Sequence, residues 1–202
     1  FPIRLSNKTY TFTSQKVYDA SVPIYGGGSS KTRVYCVDFV GSLFKIDTQV
    51  TSNSKCGISG LSMYFAFTGA QTVCQGIELA GSATAFLQYT DFEDIVFYGC
   101  KFGFYGTHLP RTTSFGLEFN VAWSNFRNIK SRPSEHEVVD TFHFTTGSGT
   151  GNSFTDCKPK VSSVGSVFNY QGAGMVVGDL LIQGISCSAA ATGASFITVG
   201  DN

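Results

Sequence analysis

The sequence predicts an all-β chain wound as a single right-handed parallel β-helix. Three features carry that expectation: a strand-forming composition, a short motif that returns down the chain, and a lack of hairpin turns. The chain holds 19 Phe, 9 Tyr and 23 Gly among 202 residues, beside only 2 Met. Aromatic and β-branched residues favour pleated, half-buried strands, while Gly and Ser mark turns. No window offers a helical stripe with caps at its ends.

The returning motif is an apolar residue, a variable one, Asp or Asn, then an apolar one. It reads Phe92-Glu93-Asp94-Ile95, Phe126-Arg127-Asn128-Ile129, Phe154-Thr155-Asp156-Cys157 and Val177-Gly178-Asp179-Leu180, with a degenerate copy at Ile58-Ser59-Gly60-Leu61. Successive copies lie 34, 34, 28 and 23 residues apart. A second motif, apolar-variable-apolar, follows each copy by 14 to 25 residues: Ile77-Glu78-Leu79, Leu117-Glu118-Phe119, Phe142-His143-Phe144, Phe168-Asn169-Tyr170 and Phe196-Ile197-Thr198. Two strand motifs in fixed order suit a solenoid in which each coil gives one strand to each sheet and inward residues stack on the coil below. Unequal spacing is expected, because insertions go into one loop per coil. A jelly roll or sandwich would also be rich in short strands, but it needs tight hairpins. The Asn-Gly and Asp-Gly pairs that signal them are absent.

Residues 1–54 are less regular. Leu5–Phe12 and Val34–Val40 alternate as strands around a Gly/Ser/Lys loop, and are expected to form the first coils or a cap. Residues 55–202 are expected to hold about five regular coils, all within one domain. The chain opens at Phe1 without an initiator Met, so the expectation is of a piece of a longer protein.

Charge narrows the partners. The 14 Lys and Arg cancel the 14 Asp and Glu, and charged residues are 14% of the chain. Nucleic acid, which demands a basic surface, is therefore not expected. No stretch of 18 apolar residues exists, so no membrane insertion is expected. Six Cys lie 18 to 57 residues apart, with no CxxC pair and no Cys and His at zinc-ligand spacing. Buried thiols are the favoured reading over disulfides, and no metal site or cofactor is expected. Walker, GxSxG, GxGxxG-helix and HExxH signatures are all missing.

The stretch Phe92–Gly106 resembles the coil consensus of pectate-lyase-like β-helices, those of bacteriophage tailspikes in particular. Gly147–Cys157 resembles their turn and strand between neighbouring coils, and Leu5–Phe12 resembles the first strand many of them share. The resemblance spans roughly residues 30–200 and rests on structural motifs, which do not fix function. It implies a phage tailspike or tail-fibre receptor-binding protein, a homotrimer on the virion tail, that recognises a bacterial cell-surface polysaccharide, with glycoside hydrolysis of that polysaccharide as the enzymatic form of the same expectation. A secreted enzyme is the alternative location, and a non-enzymatic structural or adhesive β-helix of a trimeric fibre is the alternative role. Pectate lyases hold calcium with acidic side chains beside an Arg on one sheet; the sequence carries no such cluster, which counts against that activity.

In an apolar-variable-apolar strand the central residue points away from the core. Glu78, Glu118, His143, Asn169 and Ile197 would then share one outer face. On consecutive coils, Glu78 and Glu118 would sit about 5 Å apart, the short separation of a retaining glycosidase; an extra coil between them would open this to about 10 Å. Repulsion would keep one carboxyl protonated as a general acid, with Glu118 the acid, Glu78 its partner and His143 assisting. Ordinary solvated positions on an exposed sheet are the plainer reading of the same residues. For saccharide contacts the candidates are Trp123 and Tyr98 as stacking rings, and His108, Arg111, Glu135 and His136 on two inter-coil insertions. The ladder Asp94, Asn128, Asp156, Asp179 is expected to be structural, each side chain holding a turn.

Overall fold

The computed structural model describes residues 1–14, 16–19, 22–37, 41–48, 57–66, 74–81, 87–99, 102–108, 121–132, 140–144, 151–161, 166–171, 179–189 and 195–200. Within them there is no helix, and every strand pair is parallel. The chain passes alternately between two large sheets. Ile58–Ala66, Asp91–Tyr98, Asn125–Arg132, Ser153–Thr155 and Leu181–Gln183 stack in chain order in the first sheet. Gly41–Thr48, Cys74–Gly81, Phe102–His108, Asp140–Phe144, Ser166–Gln171 and Ser195–Gly200 stack in chain order in the second. Neighbours in one sheet are thus separated in sequence by a strand of the other, which is the path of a parallel β-helix. The segments before residue 50 join the same two sheets, Thr9–Phe12 pairing with Arg33–Val37 and Lys16–Asp19 with Gly41–Thr48.

Register shows why Phe is so frequent. Phe92, Phe126, Phe154 and Ile182 occupy one inward place on successive coils. Their rings stack at 5.2 Å (Phe92 on Phe126) and 4.7 Å (Phe126 on Phe154). From the second sheet Phe142 and Phe168 stack at 5.1 Å. The two columns then meet edge to face, Phe142 on Phe154 at 4.8 Å and Phe154 on Phe168 at 4.8 Å. All five of these Phe are fully buried. Burying one such side chain is worth about 1.5–3 kcal/mol, and each edge-to-face pair adds roughly 0.5–1.5 kcal/mol. The inward place repeats because the coil repeats.

The strands of the first sheet are bent at a fixed place. Gly60, Asp94, Asn128, Asp156 and Gly184 all have left-handed backbones, with φ between 52° and 68°. Asn and Asp tolerate that conformation better than other side chains, and Gly adopts it freely. Asp94 is the hub of this corner: Ser29 donates to it from its backbone N–H at 2.9 Å and its Oγ at 2.7 Å, and Asn128 donates from Nδ2 at 3.1 Å. The loop carrying Ser29 lies over Gly60, where a Cβ would come within 2.8 Å of the Gly26 carbonyl oxygen. The structural reading of the Asp/Asn ladder fits these bonds. One member is corrected: Asp179 is not in it. Leu181 pairs with Ser153, so Gly184 takes the place after Asp156, and Asp179 falls opposite Gly151 at a second corner.

That second corner precedes the strands Asp91–Tyr98, Asn125–Arg132, Ser153–Thr155 and Leu181–Gln183 and is left-handed too, at Tyr89 (φ 54°), Trp123 (47°), Gly151 (69°) and Asp179 (48°). A buried polar column seals it from inside. The Thr90 hydroxyl donates to Ser124 Oγ at 2.8 Å, and the Ser124 N–H donates to Asn152 Oδ1 at 3.1 Å. Unpaired, these groups would each cost about 1–3 kcal/mol in a dry interior.

Candidate functional site

One register row of the second sheet includes Glu78 and His143, two of the three residues expected to be catalytic. Lys45, Glu78, Tyr105, His143, Asn169 and Thr198 follow one another in register. Two expectations are corrected by this order. Tyr105, from Phe102–His108, pairs with Glu78 on one side and His143 on the other, so it holds the place expected for Glu118 and no further coil separates Glu78 from His143. Thr198 holds the last place, and Ile197 pairs with Phe168 instead. Glu118 itself lies outside the described residues, as do the side chains of Tyr105 and His143. Glu78 is held on two sides: Ser42 Oγ donates to it at 2.6 Å and Lys45 Nζ lies 3.8 Å away. Its side chain is only 16% exposed. That environment fits a carboxylate that orders the sheet.

The other outer surface is more open. Between its two left-handed corners the first sheet presents two rows of outward side chains. Asp91, Asn125 and Ser153 form one row, and Ser59, Glu93, Arg127 and Thr155 the other. Together with Tyr25 and Gly57 they line a groove of about 530 Å³. Its floor is pre-arranged. Ser153 Oγ donates to Asn125 Oδ1 at 2.6 Å, Asn125 Nδ2 donates to Asp91 Oδ1 at 2.8 Å, and Arg127 meets Glu93 at 2.6 Å. Glu93 in turn raises the pKa of the exposed Arg127 guanidinium through hydrogen bonding and charge. Hydroxyl, amide, carboxylate and guanidinium therefore recur at coil spacing, about 4.8 Å, along one wall.

Aromatic rings flank this groove. Tyr89 and Trp123 stand two residues before Asp91 and Asn125, 46% and 47% exposed. Their rings stack at 5.6 Å, 13° from parallel. The indole also lies over Gly151, where a Cβ would be 2.3 Å from Trp123 Cδ1. Trp123, expected to be a stacking ring beside Glu118, lies instead at the corner next to this first-sheet groove. Tyr98 does not join it. It lies beyond the other corner, stacked on Tyr64 at 4.2 Å, and Tyr64 is stacked on Tyr35 at 4.8 Å. His108 ends a second-sheet strand and its side chain is outside the description; Arg111, Glu135 and His136 lie outside it altogether.

Sequence reasoning missed the groove residues Asp91, Asn125, Glu93 and Arg127. A signal for them was present: Tyr89-Thr-Asp-Phe-Glu-Asp-Ile95 repeats as Trp123-Ser-Asn-Phe-Arg-Asn-Ile129, with the charged and amide residues at matching variable positions. Among the described residues no three His, Cys, Asp or Glu side chains gather to hold a metal ion. Cys157 and Cys187 are free thiols. Burial pushes the Cys157 thiol up to about 11, so it behaves as a small apolar side chain.

No family model matches the chain, and no curated protein matches it. Solved structures do. The catalytic domain of a GH87 α-1,3-glucanase in complex with nigerose aligns with 98% of this chain at a TM-score of 0.56 and 13% identity. The D1069A form of such a domain, in complex with tetrasaccharides, aligns at a TM-score of 0.56 and 14% identity. ORF18 of Geobacillus virus E2 aligns at a TM-score of 0.31 and 11% identity, too low to bear on the fold. The chain spans only about 40% of the length of the glucanase chains it matches. At these identities the likeness is one of backbone path: the chain shares the parallel β-helix of the GH87 catalytic domains.

Proposed function

We propose that this chain is the polysaccharide-recognising β-helix of a tailspike-type receptor-binding protein, and that it takes a bacterial surface polysaccharide along the outer wall of its first sheet. The observation that carries the reading is the groove across Asp91, Glu93, Asn125, Arg127 and Ser153, flanked by the exposed pair Tyr89 and Trp123. Sugars present hydroxyls at their edges and C–H faces above and below the ring. A wall of alternating donors and acceptors beside aromatic rings answers both. A homotrimer carried on a virion tail belongs to the same reading.

The test is incubation of the full chain with a panel of purified capsular and O-antigen polysaccharides, followed by affinity measurement and assay for new reducing ends. Retention of at least one polysaccharide, weakened by Arg127→Ala, is the expected result. Failure to retain any would overturn the reading and favour a purely structural fibre. Cleavage is read in the same tubes: reducing ends that disappear in Glu118→Gln would add hydrolysis to recognition. Binding without release, unaffected by that substitution, would leave recognition alone.

A further inference from the structure

Beyond the Asp94 corner the same sheet turns a different outer face to solvent. Its rows run Arg33, Ser62, Val96, Lys130, of which Ser62 and Val96 are buried, and then Tyr35, Tyr64, Tyr98, Arg132. Lys158 bridges to Lys130 on the next coil, and Lys160 follows it two residues on. Arg33, Arg132 and Lys158 are exposed, and Lys130 and Lys160 half-buried. Among the described residues none of these five cations has a carboxylate partner, whereas Arg127 and Lys45 on the other faces do. No outward Asp or Glu occurs in either row.

Charge is therefore segregated in a chain whose net charge is zero. The Asp91–Glu93 side of the corner carries carboxylates, and the Tyr98–Arg132 side carries cations that have no carboxylate partner among the described residues. Beside the cations runs the tyrosine stack. Burial, with a hydrogen bond to Tyr98, pushes the Tyr64 phenol up, so its hydroxyl stays protonated at neutral pH. The ring faces of Tyr64 are covered by Tyr35 and Tyr98, which leaves edges and hydroxyls to meet a ligand. Lys130 and Arg132 are two residues apart in one strand, and Lys158 and Lys160 sit one coil away, so the cations form a block roughly 5 by 7 Å at the backbone.

We infer that this face is a second contact surface of the polysaccharide-binding wall, and that its ligand is an acidic saccharide chain bearing carboxylate, phosphate or sulfate groups. The inference rests on the polysaccharide reading given above and adds the charge class of the ligand. Spaced anions on a sugar chain would pair with the block of cations while sugar hydroxyls bond the phenols. Nucleic acid would supply anions as well, but it needs open ring faces for successive bases, and here the stack covers both faces of Tyr64 and one face each of Tyr35 and Tyr98.

The experiment measures binding of the full chain to polygalacturonate, to dextran as a neutral glucan, and to a single-stranded DNA oligomer. It is repeated from about 50 to about 300 mM salt, where screening separates charge from other contacts. Polygalacturonate bound at least tenfold more tightly than dextran and DNA, with that advantage lost at high salt, is the expected result. Lys130→Ala combined with Arg132→Ala and Lys158→Ala should cost at least tenfold against polygalacturonate and leave dextran unchanged, with an unaltered melting temperature as the control for folding. Wild-type affinity in the triple variant, or equal binding of DNA and polygalacturonate, would overturn the inference. Dextran bound without any preference for polygalacturonate would overturn it too while leaving the groove reading intact. Absence of binding to any polysaccharide, in these arms and in the capsular panel, would remove both.

Discussion

Two left-handed corners flank the groove, and they are built from opposite chemistry. The corner after it uses Gly60, Asp94, Asn128, Asp156 and Gly184, residues suited to positive φ. The corner before it opens with Tyr89 and Trp123, which are not, and only then passes to Gly151 and Asp179, which are. Holding a bulky residue there costs about 1–3 kcal/mol, and such strain persists where the surroundings impose it, often at sites that bind. At the Asp94 corner the side chains bond the neighbouring coil and loop. At the Trp123 corner the rings are half exposed and stack on each other. One corner spends its side chains on the fold; the other presents them to solvent.

Substitutions should separate the two. The largest effect is expected from Gly151→Ala, which adds a Cβ 2.3 Å from the Trp123 ring at a φ of 69°. A loss of about 2–4 kcal/mol, with a shift in Trp fluorescence, is predicted by denaturant unfolding. Asp94→Ala removes the acceptor for Ser29 and Asn128 and should cost about 2 kcal/mol by the same measurement, because hydrogen bonds to a charged group are the stronger kind. No change in saccharide affinity beyond that loss of folded protein is expected.

The interior gives a third, pH-dependent test. Cys157 keeps its proton in the folded chain up to about pH 11, while the unfolded chain releases it from about pH 9. Stability from this group is complete below pH 9 and declines as pH rises through that window, by about 1 kcal/mol at about pH 10. Cys157→Ser should flatten that decline. In the native chain at pH 8, iodoacetamide should label Cys187, which is exposed, and spare Cys157. The smallest effect on stability is expected for Trp123→Gly. Relief of backbone strain offsets the lost stack on Tyr89, so unfolding should change by less than about 1 kcal/mol. Saccharide affinity should nonetheless fall about tenfold, equivalent to about 1.4 kcal/mol. A large destabilisation without loss of affinity would make Trp123 another fold residue and erase the contrast between the corners.

The coil was legible in sequence because its inward places are chemically narrow. Only large apolar residues fill the column of Phe92, Phe126 and Phe154, so the motif repeats visibly and its register followed. The Asp/Asn corner was legible for a similar reason: few side chains accept its backbone. Its last member was misassigned, since Val177-Gly-Asp-Leu180 copies the pattern while Ile182 and Gly184 hold the true places. In the second sheet, apolar-variable-apolar fits many segments, and Leu117-Glu-Phe119 fitted as well as Phe104-Tyr-Gly106. Only pairing distinguishes them, and pairing gave the place to Tyr105. The groove was hidden because outward positions tolerate any polar residue, so Asp91 over Asn125 and Glu93 over Arg127 read as variation until register brought them together.

Arg127 decides the account most directly. It is exposed, lies in the groove and pairs on the surface with Glu93, so its removal should leave the melting temperature of the fold essentially unchanged. Affinity for the polysaccharide retained from the capsular and O-antigen panel should be compared between the wild-type chain and Arg127→Ala, at equal melting temperature. A loss of at least tenfold is the predicted result. Unchanged affinity would place recognition somewhere other than this wall.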